Sequence, residues 1–225
     1  MFTPKFFEFF QGLTKNNNRD WFNEHKPDYQ QAVAQPMCAF VEAMGPRLRK
    51  ISPHFVADPR AHGGSMFRIY RDVRFSKDKR PYKLHAACQF RHELGRDAHT
   101  VGFYVHVSLE EAVFGGGIWL PPKEELLKIR QNIVDNPHAW RQIRTNRQIK
   151  KLFGGIGGDG LKRPPRGFDP EHEHIEDLKR KSFFLMRREP AEIALDDGFI
   201  DEVEKTFRAA MPLMDYIAYA QDIDI

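Results

Sequence analysis

Between positions 68 and 83 the chain reads RIYRDVRFSKDKRPYK, with seven basic side chains, two carboxylates and three aromatic rings in sixteen residues. A guanidinium presents a planar fork of donors that fits the oxygens of a phosphate or carboxylate, and an ammonium adds mobile point charge. Period-two alternation over 68–75 sends Ile69, Val73 and Phe75 to one face of a strand and Arg68, Tyr70, Asp72 and Arg74 to the other. On this reading Arg68 and Arg74 clamp an anion, Asp72 orients them, and Lys77, Lys79 and Lys83 close over it from a loop. Arg71 falls on the apolar side, where it needs a partner or a route to water.

Two more alternating runs follow, at 84–91 and 101–109. With matched facing, His85, Gln89, Arg91, Tyr104, His106 and Ser108 join the same polar surface. Imidazoles titrate near neutral pH, so His106 and His85 are the candidate acid or base, with Tyr104 among the ligand contacts. The competing reading is a plain solvent face, which half-buried antiparallel sheets carry anyway and whose ion pairs contribute little.

These residues need a scaffold. Thr3-Pro4 is a helix start, and Phe6, Phe7, Phe10 and Leu13 follow at helical spacing. NNN at 16–18 breaks this helix, and a longer one is expected over 29–50, its limits blurred by Pro36 and Pro46. Short strands are expected at 112–114 and 182–186, and helices at 121–134, at 137–152 and over the stretch from Phe199 to Ile217. Strands clustered between helical ends predict a single α+β domain over 1–225, with a central antiparallel sheet of four or five strands flanked by N-terminal and C-terminal helices.

Other motifs carry less chemistry. GGG at 115–117 lacks the Lys-Ser/Thr ending of a phosphate loop, and the following Pro pair removes amide donors, so close packing is the favoured reading. HEH at 172–174 is short of ligands for a metal, and no zinc or nucleophile signature is present, so no metal site and no cofactor is assigned. RQIRTNRQIKK, 141–151, sets Arg144, Arg147 and Lys151 on one helix face, which suits either a nucleic-acid backbone or plain solvent.

The net charge of +4 conceals an uneven distribution. Residues 60–100 hold ten basic against four acidic side chains, 123–166 eleven against four, and 167–225 seven against fifteen. Three functions fit: a pocket for a small phosphorylated or carboxylated ligand, with or without hydrolytic or transfer chemistry; a non-catalytic nucleic-acid binder using 68–83 and 141–166; or a scaffold whose basic middle pairs with its acidic end. No apolar run is long enough to span a bilayer, the N-terminus lacks signal-peptide features, and Cys38 and Cys88 fit no metal or redox spacing. A reduced, cytoplasmic protein without a membrane partner is expected.

RIYRDVRFSKDKRPYK, with NRDWFNEHKPDY, GGGIWLPP and LKRPPRGFDPEHEHIEDLKRKSFF, resembles the family called domain of unknown function 2461, over roughly residues 3–218. The resemblance implies that these four segments belong to one compact unit. It transfers no activity. Arg68, Asp72, Arg74, Lys77, Asp78, Lys79 and Lys83 match its pattern without roles, and Arg80 stands where threonine is equally expected.

Overall fold

A computed structural model describes residues 1–95 and 99–225. Arg96 and Asp97, counted in the first basic block, lie outside the described residues. The N-terminal third is helical: α1 (Pro4–Lys15), α2 (Arg19–Glu24), α3 (Lys26–Tyr29) and α4 (Gln35–Arg49), the last two joined by a π-helical segment, Gln30–Ala34. The three asparagines at the first break do three jobs. The Asn16 amide caps the end of α1 on the Gly12 carbonyl, Asn17 bonds the backbone of Tyr82, and the Asn18 side chain accepts from the Trp21 amide to start α2.

The expected helix over 29–50 therefore continues through both prolines. Pro36 offers no amide and crowds the carbonyl four residues back. The π segment just before it widens the turn, with the Gln35 amide bonding the Gln30 carbonyl five residues away.

A four-stranded antiparallel sheet follows in the order β1 (His85–Arg91), β2 (Gly102–Ser108), β3 (Glu111–Ile118), β4 (Phe183–Pro190). One face is apolar: Cys88, Phe90, Phe103, Val105, Val107, Phe114 and Leu185 are all closed to solvent. Helix α9 (Phe199–Ala220) packs on this face. Phe207 stacks on Phe103 with centroids 4.3 Å apart, and Phe199 meets Phe114 edge-on at 5.7 Å. Helices α5 (Lys123–Asp135), α6 (Pro137–Thr145) and α7 (Arg147–Phe153) lead into the short α8 (Ile175–Leu178), and Trp140 packs against Tyr216 of α9. This is the expected α+β class with flanking helices.

Three local expectations need correction. The helix expected at 137–152 is two helices, because the Asn146 side chain accepts from the amides of Gln148 and Ile149 and starts a new one. The strands expected at 112–114 and 182–186 run longer, as β3 and β4. The strand expected at 68–75 is absent. Residues 65–71 do run beside 81–89, through the Gln89 amide on Ser65, Phe67 on Ala87, Lys83 on Ile69 and Arg71 on Pro81. Between the second and third of these bonds one side advances two residues and the other four, so the ladder is dislocated. Beyond Arg71, aspartate side chains capture backbone amides that a ladder would need. Phe75, assigned above to the buried face, is 95% exposed at the tip of the resulting loop.

The GGG stretch serves packing, as favoured from sequence. A Cβ on Gly116 would stand 2.8 Å from the Phe103 ring and 2.9 Å from the Met214 sulfur, and one on Gly117 would strike the Phe183 carbonyl.

Candidate functional site

The ladder register sets the sheet's second face row by row. His85 stands opposite Ser108, Ala87 opposite His106, and Gln89 opposite Tyr104. Across β3 and β4, His106 faces Val113, which faces Arg188. The imidazoles of His85 and His106 lie with centroids 5.0 Å apart. The Tyr104 hydroxyl is 3.2 Å from Nδ1 of His106, and Nε2 of that ring is 3.9 Å from a Glu111 oxygen. Glu111 in turn accepts two bonds from Arg188, at 2.6 and 2.7 Å. Ser108 is committed elsewhere, bracketing the β2–β3 turn through its bonds with Glu110 and Glu111.

Lys83 completes the corner. Its Nζ donates to the Arg68 carbonyl at 2.8 Å and sits 5.5 Å from the centre of the Phe67 ring, which lies 6.1 Å from Tyr104. Burial depresses the ammonium pKa, and Arg68 adds to the effect. Burial also pushes His85 down to about 4, helped by His106 and Lys83. His106 is lowered by burial, with Glu111 pulling the other way and Arg188 reinforcing the drop. Burial raises Tyr104 to about 12, so it stays a phenol. At neutral pH the corner therefore holds two neutral imidazoles, a phenol and an ammonium.

Of the residues singled out by sequence, Lys83, His85, Tyr104 and His106 are brought together here. Asp72, Arg74, Lys77 and Lys79 sit in the 72–80 loop instead. There Asp72 grips its own neighbour: it accepts the Arg74 amide at 3.2 Å and two guanidinium nitrogens at 2.7 and 3.0 Å, and the Arg74 bond lowers its pKa to about 2. Asp78 holds Arg80 in the same way and also receives Arg71 at 2.8 Å, which is the partner that Arg71 needs. Asp58 and Arg60 repeat the pattern. Lys79 donates to the Val73 carbonyl across the loop. Tyr70 points toward the N-terminal helices, against Phe22 and Tyr82.

Sequence reasoning missed Phe67, Glu111 and Arg188. Extending the strand expected at 112–114 back by one residue, and that at 182–186 forward by two, would have found the last two. The three Asp-X-Arg turns had a signal too, since that spacing recurs at 58, 72 and 78.

Elsewhere, a groove of about 480 Å³ runs between α5, α6 and α9. Along it the Asn132 amide already donates to the Tyr216 carbonyl, the Asn136 amide donates to the Asn132 side-chain oxygen, and the Tyr216 hydroxyl donates to the Asn132 carbonyl. No group of three or more His, Cys, Asp or Glu able to hold a metal occurs among the described residues. In the HEH motif His174 is buried, with its ring nitrogens near the Pro137 carbonyl and Arg144.

A family model described as conserved hypothetical protein (DUF2461) matches residues 5–216. The chain belongs to the DUF2461 family. None of the curated proteins searched matches it. The DUF2461 segments noted from sequence meet in two pairs. The 18–29 segment packs on Tyr70 and Tyr82 through Phe22. The 115–122 segment pairs with 182–184, through Gly117 opposite Phe184 and the Leu120 amide on the Ser182 hydroxyl. Among the described residues, no helix of this DUF2461 protein is long and apolar enough to cross a membrane.

Proposed function

We propose that the polar sheet face binds a small phosphorylated or carboxylated molecule at the corner formed by Lys83, His85 and His106. The observation that carries this reading is the His85–His106 pair, 5.0 Å apart and half-buried beside an ammonium. Neutral imidazoles that burial has stripped of protons regain them when an anion arrives, so each contributes a charge-assisted donor. His106 is flanked by Tyr104 and Glu111, whereas no hydrogen bond engages the His85 ring among the described residues. His85 and Lys83 therefore meet the ligand and His106 supports them. In a hydrolytic or transfer step this pair supplies the acid or base.

The other two functions gain less support. The 65–71 segment flanks β1, and 157–160 runs beside the chain entering β4, so the two basic blocks lie at opposite edges of the sheet. Arg141 and Arg144 are paired with Glu173 and Asp177. Arg74 is neutralised by its own loop, not by the acidic C-terminal third.

The test is a titration of inorganic phosphate and citrate into the full chain, followed by the histidine C2–H signals in NMR. Saturable shifts of His85 and His106, with both pKa values raised by the anion and the response lost in His85→Asn, are expected. Shifts confined to other histidines, or none, overturn the reading.

A further inference from the structure

The 72–80 loop stands apart from the corner just described and is built for a different encounter. Its tip carries Phe75, 95% exposed, with the Arg74 guanidinium 5.9 Å from the ring centre. At such exposure Phe75 contributes nothing to the core, and its ring is open to a partner. Several bonds shape the loop. Asp72 fastens Arg74, Asp78 fastens Arg80 and Arg71, Lys79 reaches the Val73 carbonyl, and Arg71 also donates to the Arg80 carbonyl. These solvent-facing pairs each contribute little, and together they favour the loop shape that turns the ring outward.

Charge narrows the partner. Seven basic and two acidic side chains over 68–83 leave an excess of five positive charges. Arg71, Arg74 and Arg80 are paired with the two aspartates, while Arg68, Lys77, Lys79 and Lys83 have no carboxylate partner among the described residues. The partner is therefore anionic and offers a flat apolar face. Within 72–80 Phe75 is the one large apolar side chain that is exposed, too little area to anchor the loop in a lipid layer. A base needs only the free face of the ring, and its phosphates meet the unpaired cations around it. A duplex keeps its bases stacked internally, so the base must be unpaired.

We infer that the 72–80 loop is a stacking finger that docks an unpaired base of a single-stranded nucleic acid on Phe75. Arg74 extends the platform, and Lys77 and Arg68 meet the flanking phosphates. This surface lies within the 68–83 segment alone, unlike a stripe joining both basic blocks, and its stacking contact does not depend on what the sheet corner binds.

The test is fluorescence anisotropy of the full chain with a labelled single-stranded oligonucleotide about twelve nucleotides long, in RNA and DNA forms, across a salt series. Phe75→Ala is expected to weaken binding roughly ten- to a hundred-fold and Phe75→Trp to retain it. Lys77→Gln should make the salt slope shallower by about 0.7. Because Phe75 is exposed, circular dichroism of both Phe75 variants should match the parent. The inference is overturned if the parent binds no oligonucleotide at about 50 mM salt, if Phe75→Ala binds as well as the parent, or if a duplex of equal length is preferred. It is equally overturned if Phe75 is needed for sedimentation with phosphatidylserine vesicles and not for oligonucleotide binding.

Discussion

Asn17 grips Tyr82 by both ends of its peptide unit: its Oδ1 accepts the Tyr82 amide at 3.1 Å and its Nδ2 donates to the Tyr82 carbonyl at 3.0 Å. One side chain thereby does what a neighbouring strand would do, and it ties the N-terminal helices to the root of the basic loop. Tyr82 is itself buried and stacked on Phe22 at 4.1 Å. Asn17→Ala should cost about 1–2 kcal/mol, since a part-buried donor and a part-buried acceptor lose their partner together. Urea unfolding of the two proteins measures it. Asn17→Asp should recover little, because its second oxygen faces the Tyr82 carbonyl; recovery to parental stability would show that the amide donor contributes nothing.

Acid should destabilise the fold through His85. Its folded pKa of about 4 lies below the ordinary 6.5, so between those values the unfolded chain binds a proton that the folded chain refuses. Stability is then lost as pH falls from about 6.5 and levels off near 4, by about 3 kcal/mol before solvent screening is discounted. His85→Gln should flatten that slope, with the residue of it coming from His106, which is lowered in the same direction. Denaturant midpoints at pH 7, 6, 5 and 4 test this. An unchanged slope in the variant would place the acid sensitivity elsewhere.

Asp177 anchors the second helical layer. Its side chain is 4% exposed and accepts from the Trp140 indole at 2.9 Å and the Arg180 Nε at 3.0 Å, with the Arg144 Nε at 3.3 Å. Asp177→Ala should cost about 3 kcal/mol, because a buried indole donor and a half-buried guanidinium are left without an acceptor. Trp140→Phe should cost less per lost bond, since the packing against Phe183 and Tyr216 is kept in part. Thermal unfolding that ranks these two variants the other way would contradict this account.

Adjacent glycines in β3 should respond unequally. At Gly116 the obstacles are the Phe103 ring and the Met214 sulfur, and the thioether can move, so Gly116→Ala should cost about 1 kcal/mol. At Gly117 the obstacle is the β4 backbone itself, and φ is +152°, so Gly117→Ala should cost about 3 kcal/mol. Equal losses would mean that strand separation is cheaper than the geometry implies.

The alternation in β1 and β2 was readable because each strand has one wet face and one dry one, and with it came the grouping of His85, Tyr104 and His106. The same rule misled at 68–75, where Ile69 is buried but Phe75 is not, because a period of two says nothing about whether a partner strand stays in register. Aspartates two residues ahead of arginines turned that chain into local rings of bonds, a preference set by side chains and invisible to a hydrophobicity pattern. Glu111 and Arg188 escaped notice because β3 is glycine-rich and β4 turns charged at its end, which masks strand character. The helix expected over 29–50 was legible from its apolar stripe, while the π turn that accommodates Pro36 was not, because a hydrophobic period does not report a local change of backbone pitch.

The dislocated ribbon along β1 also bears on solubility at high concentration. A regular outer strand would offer another molecule a row of free amides on which to polymerise. Here that flank is occupied by a stretch bonded only at intervals, ending in a cationic tip. On the opposite flank, 157–160 covers the approach to β4, and the strand then ends in Arg187, Arg188, Glu189 and Pro190, three charged residues followed by one that cannot donate. Growth of the native sheet by strand addition is therefore disfavoured along both edges.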